Sequence, residues 1–195
     1  LGLHTEQFTS SMAQLIEAGV ITGANKTFDK GMHVGVFADG THELYQYLHN
    51  NPKCIMKPGP EVLNPHNIAR QDHMVSLVEI DLTGQVCAES IGPVQYSGSG
   101  GGFCFTLGTY FAEHGKGILC FQSRTKKGMP KIKATLTPGA VVTHQRNYIQ
   151  YVVTENGIAD LRGTTVRERA KMLINLAHPD DREELTRAAK ELYYF

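Results

Sequence analysis

The chain has no excess of either charge: 19 Lys and Arg balance 19 Asp and Glu over 195 residues, and the basic side chains are scattered rather than blocked. With no net field to gather a polyanion or an anionic bilayer, neither nucleic acid nor a membrane surface is an expected partner. Long apolar runs are missing too. None approaches the roughly 20 residues that span a bilayer, and no basic segment leads into an apolar one as in an export signal. Cysteine is scarce, with Cys54, Cys87, Cys104 and Cys120 far apart and no C-x-x-C pair. That spacing argues against a disulfide framework or a zinc site and predicts buried, reduced thiols in a cytoplasmic setting. There is no initiating Met, no internal repeat and no low-complexity linker. A chain of this length buries roughly 70% of its unfolded surface, enough for one substantial core.

What is present is an alternation of strand-like and helical segments, which predicts a layered α/β domain with a mostly parallel sheet flanked by helices. Leu1 to His4 is strand-like; Thr9 or Ser10 suits an N-cap; Met12, Leu15 and Ile16 form an apolar stripe, and Gly19 suits the stop. Glu6 thus falls between a strand end and a helix start. HVGVF repeats this grammar, followed by Gly40, Thr41 and a helix whose expected face is Leu44, Tyr45 and Leu48. MVSLVEIDL, GILCF, AVVTH and YIQYVV read as strands. TTVRERAKMLINLAHP reads as a helix with Val166, Ala170, Leu173, Ile174 and Leu176 on one face, and Pro179 marks its exit before a last charged helix.

Three features could carry chemistry. The run QYSGSGGGFCFTLGTYF sets Gly98, Gly100, Gly101 and Gly102 before a helix with an expected face of Phe103, Leu107, Tyr110 and Phe111. Backbone amides there could hold a phosphate or an oxyanion. The run matches neither nucleotide signature, since it lacks a closing G-K-[ST] and has Phe103 where the dinucleotide fingerprint needs Gly. Nine histidines invite a metal, but His42-Glu43 lacks its second His, with Gln46 in that place, and His42 and His49 fall on a solvated face, so no metal is expected. His4 reads as structural; it would share a side with Glu6 only if the strand continues that far. The third feature is a pair of carboxylates, Glu6 and Glu155, each at a strand end. Spacing alone does not choose between them.

Taken together, LGLHTEQFTSSMAQLIEAGVITG, GTHELYQYLHNNP, EIDLTGQVCAESIG, QYSGSGGG and VVTENGIADLRGTTVRERAKMLINLAHPDDRE resemble the C-terminal half of the acetyl-CoA hydrolase/transferase family, in particular its 4-hydroxybutyrate CoA-transferase branch. The resemblance implies that residues 1–195 are a C-terminal catalytic domain of CoA-transferase fold. The preceding half, with a G-x-G-x-x-P loop, would be absent, and Leu1 would be an interior start. It implies that Glu6 is the nucleophile and Glu155 a surrounding element, although TENG leaves Glu155 as the alternative catalytic residue. It implies further that Gly98, Gly100 and Gly101 serve as oxyanion and CoA-binding amides. The expected reaction moves CoA between an acyl-CoA and a short carboxylic acid such as 4-hydroxybutyrate, acetate or butyrate. Coenzyme A is then a substrate, with no permanently bound cofactor, and a homo-oligomer is expected.

Two departures bear on substrate. The family pattern G-G-Q-x-D-F-x-R-G-A has Gly102, Cys104 and Leu107 here in the places of Gln, Asp and Arg, which removes one charge of each sign beside the pocket. The stretch before EIDL is also about three residues shorter than the family form. An acetyl-CoA hydrolase using the same glutamate, and a non-catalytic ligand-binding domain of the same fold, remain as alternatives.

Overall fold

A computed structural model describes residues 1–71 and 79–195, with the backbone alone for 74–76. The chain opens with β1 (Leu3–His4) and β2 (Gln7–Phe8), which leave Thr5 and Glu6 between them. The helix α1 (Ser10–Glu17) follows Thr9, and Gly19 stands just beyond its end at φ +73, a left-handed stop that glycine adopts without a Cβ penalty. Its buried side is centred on Ala13, with Met12 and Ile16 beside it, so Leu15 is turned outward contrary to the expected stripe. A small residue in the middle of the buried side is invisible to a pattern that counts large apolar ones.

HVGVF is divided into β3 (His33–Gly35) and β4 (Phe37–Ala38). The break falls at Val36 because the amides of Val36 and Phe37 both donate to the carbonyl of Glu6, at 2.9 and 3.1 Å, and turn the chain there. The helix α2 (His42–Leu48) buries Leu44, with Tyr47 and Leu48 against the core; Tyr45, expected on that face, is exposed. Then come β5 (Cys54–Met56), α3 (Gly59–Val62) and α4 (Pro65–Ala69). The strands β1, β3 and β5 pair in parallel, with Leu3 opposite His33 and His4 opposite Val34, and β2 pairs in parallel with β4.

The rest of the chain runs β6 (Met74–Ser76), β7 (Glu79–Asp81), β8 (Val86–Cys87), β9 (Ser90–Ile91), β10 (Val94–Gln95), α5 (Gly102–Phe111), β11 (Gly117–Cys120), β12 (Ile132–Lys133), β13 (Tyr151–Thr154), β14 (Gly157–Asp160), α6 (Val166–Leu176), a 3-10 turn at Pro179–Asp181 and α7 (Arg182–Glu191). One sheet takes the order β14-β13-β11-β6, with β6, β11 and β13 parallel and β14 an antiparallel edge. A second has β12 parallel and β8 antiparallel to β7, and β9 with β10 forms a hairpin leading to the glycine run. A core of Ile80, Leu119, Val152, Leu161 and Leu173 joins these sheets to α6 and α7. The α/β class with mostly parallel strands is therefore observed. Among the described residues no helix is long and apolar enough to cross a membrane.

Several expectations need correction. AVVTH is not a strand: Val141 and Val142 are exposed and His144 makes a single bridge to Val86. In YIQYVV the strand begins at Tyr151, and its missed partner β14 returns after a tight turn at Glu155 and Asn156. MVSLVEIDL contributes β6 and β7, while Leu77 and Val78, in the shortened stretch before EIDL, lie outside the described residues. Of the four free cysteines only Cys87 is buried; Cys54 and Cys104 are half-buried and Cys120 is exposed. Val166, placed on the buried face of α6, lies at its partly exposed first turn, where Thr165 and Glu168 form a capping box.

The correction that bears on function concerns α5. This helix buries Phe105, Gly108 and Thr109, while Tyr110 and Phe111 are exposed. Its sequence is apolar all round, so the spacing of large side chains could not select the inner face. Close approach selects it instead. A Cβ on Gly108 would stand 2.5 Å from Cβ of Ile68 in α4 and 3.0 Å from the carbonyl oxygen of Pro65. Gly108→Ala gains about 1 kcal/mol of helix propensity, but overpacking against a backbone atom costs about 1–3 kcal/mol. The expected result is net destabilisation, read as a lower denaturant midpoint at unchanged slope.

Candidate active site

Glu6 is the residue around which the first half is built. Its carbonyl holds the β3–β4 bend, and its carboxylate reaches the start of α5, where the amide of Gly101 donates to Oε2 at 2.8 Å. A helix start is a favourable place for a carboxylate because its first amides lack partners within the helix. Glycine is required at Gly101 by proximity rather than conformation. Its φ is −88, yet a Cβ there would lie 2.5 Å from Cδ2 of Leu63, 3.0 Å from Oε2 of Glu6 and 3.2 Å from its Cδ. Gly100 differs: it has φ +61, and its Cβ position would be 3.6 and 3.9 Å from the two carboxylate oxygens. Gly98 is exposed, with nothing among the described residues within 4 Å of such a Cβ. Of the expected loop glycines, then, Gly100 and Gly101 meet Glu6 and Gly98 does not.

Cys104, in the first turn of α5, lies close enough to Glu6 that burial first, and then the carboxylate, push its thiol above the ordinary range. Leu63 beside Gly101, Lys26 beside β1 and His144 beside α5 had no sequence signal. Leu63 closes the back of Gly101. Lys26 is buried, and its ammonium donates to the carbonyls of Leu3 at 2.9 Å and Met32 at 3.1 Å; burial pulls its pKa down to about 8. His144 is buried with Nδ1 3.0 Å from Thr106 Oγ1 of α5, and burial lowers its pKa more than nearby Glu89 raises it.

Glu155 has a different set of partners. Its Oε2 accepts from the Ser123 amide at 2.9 Å and its Oε1 accepts from the Ser123 hydroxyl, while Asn156 secures the same turn to the carbonyls of Leu176 and Ala177, each at 3.2 Å. Burial raises the Glu155 pKa, but the two Ser123 bonds, with a bond to its own backbone and the nearby His178, together hold the carboxyl below the usual range. The unfolded chain therefore binds a proton at higher pH than the native state. The resulting stabilisation is complete above the ordinary carboxylate range and is lost as pH falls through the depressed value. Ser123→Ala should flatten the acid side of a stability-versus-pH curve relative to wild type; an unchanged acid limb would show that the turn does not depend on this pair. Among the described residues, no group of three or more His, Cys, Asp and Glu could hold a metal ion.

These features define a layered α/β domain that seats a carboxylate against the glycine-rich start of a helix. A family model described as the acetyl-CoA hydrolase/transferase C-terminal domain matches residues 40–189, and the chain belongs to this family. The succinyl-CoA:cyclohexane-1-carboxylate CoA transferase of Geobacter metallireducens is 45% identical over 196 residues, covering 98% of this chain and 45% of the relative. The 4-hydroxybutyrate coenzyme A transferase of Clostridium kluyveri is 43% identical over 197 residues, covering 99% and 46%. The crystal structure of RipA from Yersinia pestis superposes with a TM-score of 0.92 at 39% identity, covering 100% of this chain and 45% of its own. The chain thus spans about half the length of the curated relatives it matches.

Proposed function

We propose that residues 1–195 form the C-terminal catalytic domain of a CoA-transferase that moves CoA between an acyl-CoA and a short carboxylic acid, with Glu6 as nucleophile. The observation that carries this reading is the Glu6 carboxylate held at 2.8 Å by the Gly101 amide. Glu6 attacks the thioester carbonyl and expels CoA thiolate, giving an acyl-glutamyl anhydride. The thiolate attacks the glutamyl carbonyl and releases the donor acid, leaving a glutamyl-CoA thioester. An incoming carboxylate attacks that thioester to form a new anhydride, and the thiolate then takes the new acyl group, regenerating Glu6.

In this sequence Gly101 has a defined task. The oxygen it holds in the free carboxylate becomes the carbonyl oxygen of the glutamyl thioester and carries negative charge whenever that carbonyl is attacked. One amide so placed serves the nucleophile and each tetrahedral intermediate on it, with no reorganisation between steps. Coenzyme A is a substrate rather than a resident cofactor, and a cytoplasmic setting keeps four unpaired cysteines reduced. A preceding half of the polypeptide supplies the remainder of the pocket. Mass spectrometry of the full polypeptide after acyl-CoA and borohydride tests the reading. Reduction of the thioester should mark the peptide containing Glu6, and a mark confined to Glu155, or none, would overturn it.

A further inference from the structure

His4 stands two residues before Glu6, and both side chains reach α5. The His4 ring meets Phe105 edge to face at 6.3 Å, and Glu6 meets Gly101, four residues earlier in the helix. The His4 ring also meets Phe28 edge to face, with centroids 6.0 Å apart.

The imidazole is buried, and its Nε2 lies 2.8 Å from the carbonyl oxygen of Val62. A carbonyl only accepts, so Nε2 carries the hydrogen, and Nδ1 is left as a bare acceptor with no partner among the described residues. A second proton would have to sit on that enclosed nitrogen, and burial accordingly lowers the His4 pKa. The ring is thus a fixed single donor, unsuited to carrying protons to or from Glu6.

The group it holds is informative. Val62 is the last residue of α3, where helix carbonyls lack partners, and the next residue is Leu63, whose Cδ2 packs against the Cα of Gly101. Contacts therefore form a closed circuit from His4 through Val62, Leu63 and Gly101 to Glu6, and back through Thr5 to His4. We infer that His4 is a positioning residue, whose Nε2–H anchors the Val62–Leu63 wall and so fixes the Gly101 amide against the Glu6 carboxylate. The inference rests on Glu6 being the nucleophile, and it assigns the histidine of the H-T-E segment a task in the alignment of the site rather than in acid–base chemistry.

His4→Leu fills the space and removes the donor. His4→Gln offers an amide N–H the same number of bonds from Cβ as Nε2. In the full polypeptide, formation of the Glu6 adduct in a single turnover should fall about 10²-fold in His4→Leu, the scale of an ångström-sized misplacement, and stay within about fivefold of wild type in His4→Gln. CoA affinity and cooperative unfolding should persist in both. Hydrogen exchange at the Gly101 amide gives a readout independent of turnover: faster in His4→Leu, close to wild type in His4→Gln. A wild-type adduct rate or unchanged Gly101 exchange in His4→Leu overturns the inference, as does a Gln variant as impaired as the Leu variant. Glu6→Gln, run alongside, separates the two readings. If it still forms the adduct, the nucleophile assignment fails; if it is inactive while His4→Leu reacts normally, only the role of His4 fails.

Discussion

Glu6→Gln is expected to abolish turnover, by on the order of 10⁴-fold or more, the scale on which loss of an essential nucleophile is felt. Folding and CoA affinity should be little changed. The carboxamide keeps the shape of the side chain, and its oxygen can still accept from the Gly101 amide that holds Oε2 at 2.8 Å. What it loses is the capacity to form an anhydride. Glu6→Asp separates charge from reach: it keeps the carboxylate but withdraws it by one methylene from Gly101, a displacement that costs about 10²-fold or more. Glu155→Gln is the control, because Glu155 is engaged with Ser123 and shares no hydrogen-bond partner with Glu6. Its rate should stay near wild type while stability falls. Steady-state kinetics beside calorimetric CoA binding tests all three, and an active Glu6→Gln with an inactive Glu155→Gln would transfer the nucleophile to the second carboxylate.

The parts of this arrangement that could be read from sequence are those set by neighbours in the chain. Gly19 ends α1 because a left-handed residue is needed one position past the helix, and Thr41 stands before α2 as read, although its side chain makes no cap bond there. Glu6 could be placed between a strand and a helix for the same reason. The face of α5 was read from Phe103, Leu107, Tyr110 and Phe111, which share one side, whereas Phe105 and Gly108 lie inward because Ile68, far away in sequence, packs against Gly108. The split of HVGVF was also hidden. Its cause is the Glu6 carbonyl, about thirty residues earlier, capturing two amides at once. Leu63 illustrates the same limit: nothing in its own segment says that it packs on Gly101. The contact of Glu6 with Gly101 across 95 residues has no local signal: the sequence reading set the glycines against acyl-CoA, not against the carboxylate itself.

The glycine loop gives the second large effect, and the three glycines are expected to separate in rank. Gly101→Val should lower the rate of the first acyl transfer to Glu6 by about 10²–10³, the cost of losing one oxyanion donor. The cause is steric. The backbone at Gly101, with φ −88, suits any L-residue, but a Cβ would press on Leu63 at 2.5 Å and on the Glu6 carboxylate at 3.0 Å, forcing nucleophile and amide apart. Gly100→Val has the contrary problem, a left-handed φ of +61 with looser contacts, so it should lose about 1–2 kcal/mol of stability to strain and less of its rate. At Gly98 an added Cβ meets nothing within 4 Å among the described residues, and Gly98→Val should acylate within a few-fold of wild type. Single-turnover acylation measured beside a denaturation curve for each variant resolves the ranking. A flexible turn with no catalytic part would instead leave the acylation rate of folded Gly101→Val unchanged, and that result would detach the loop from Glu6 whatever the stability.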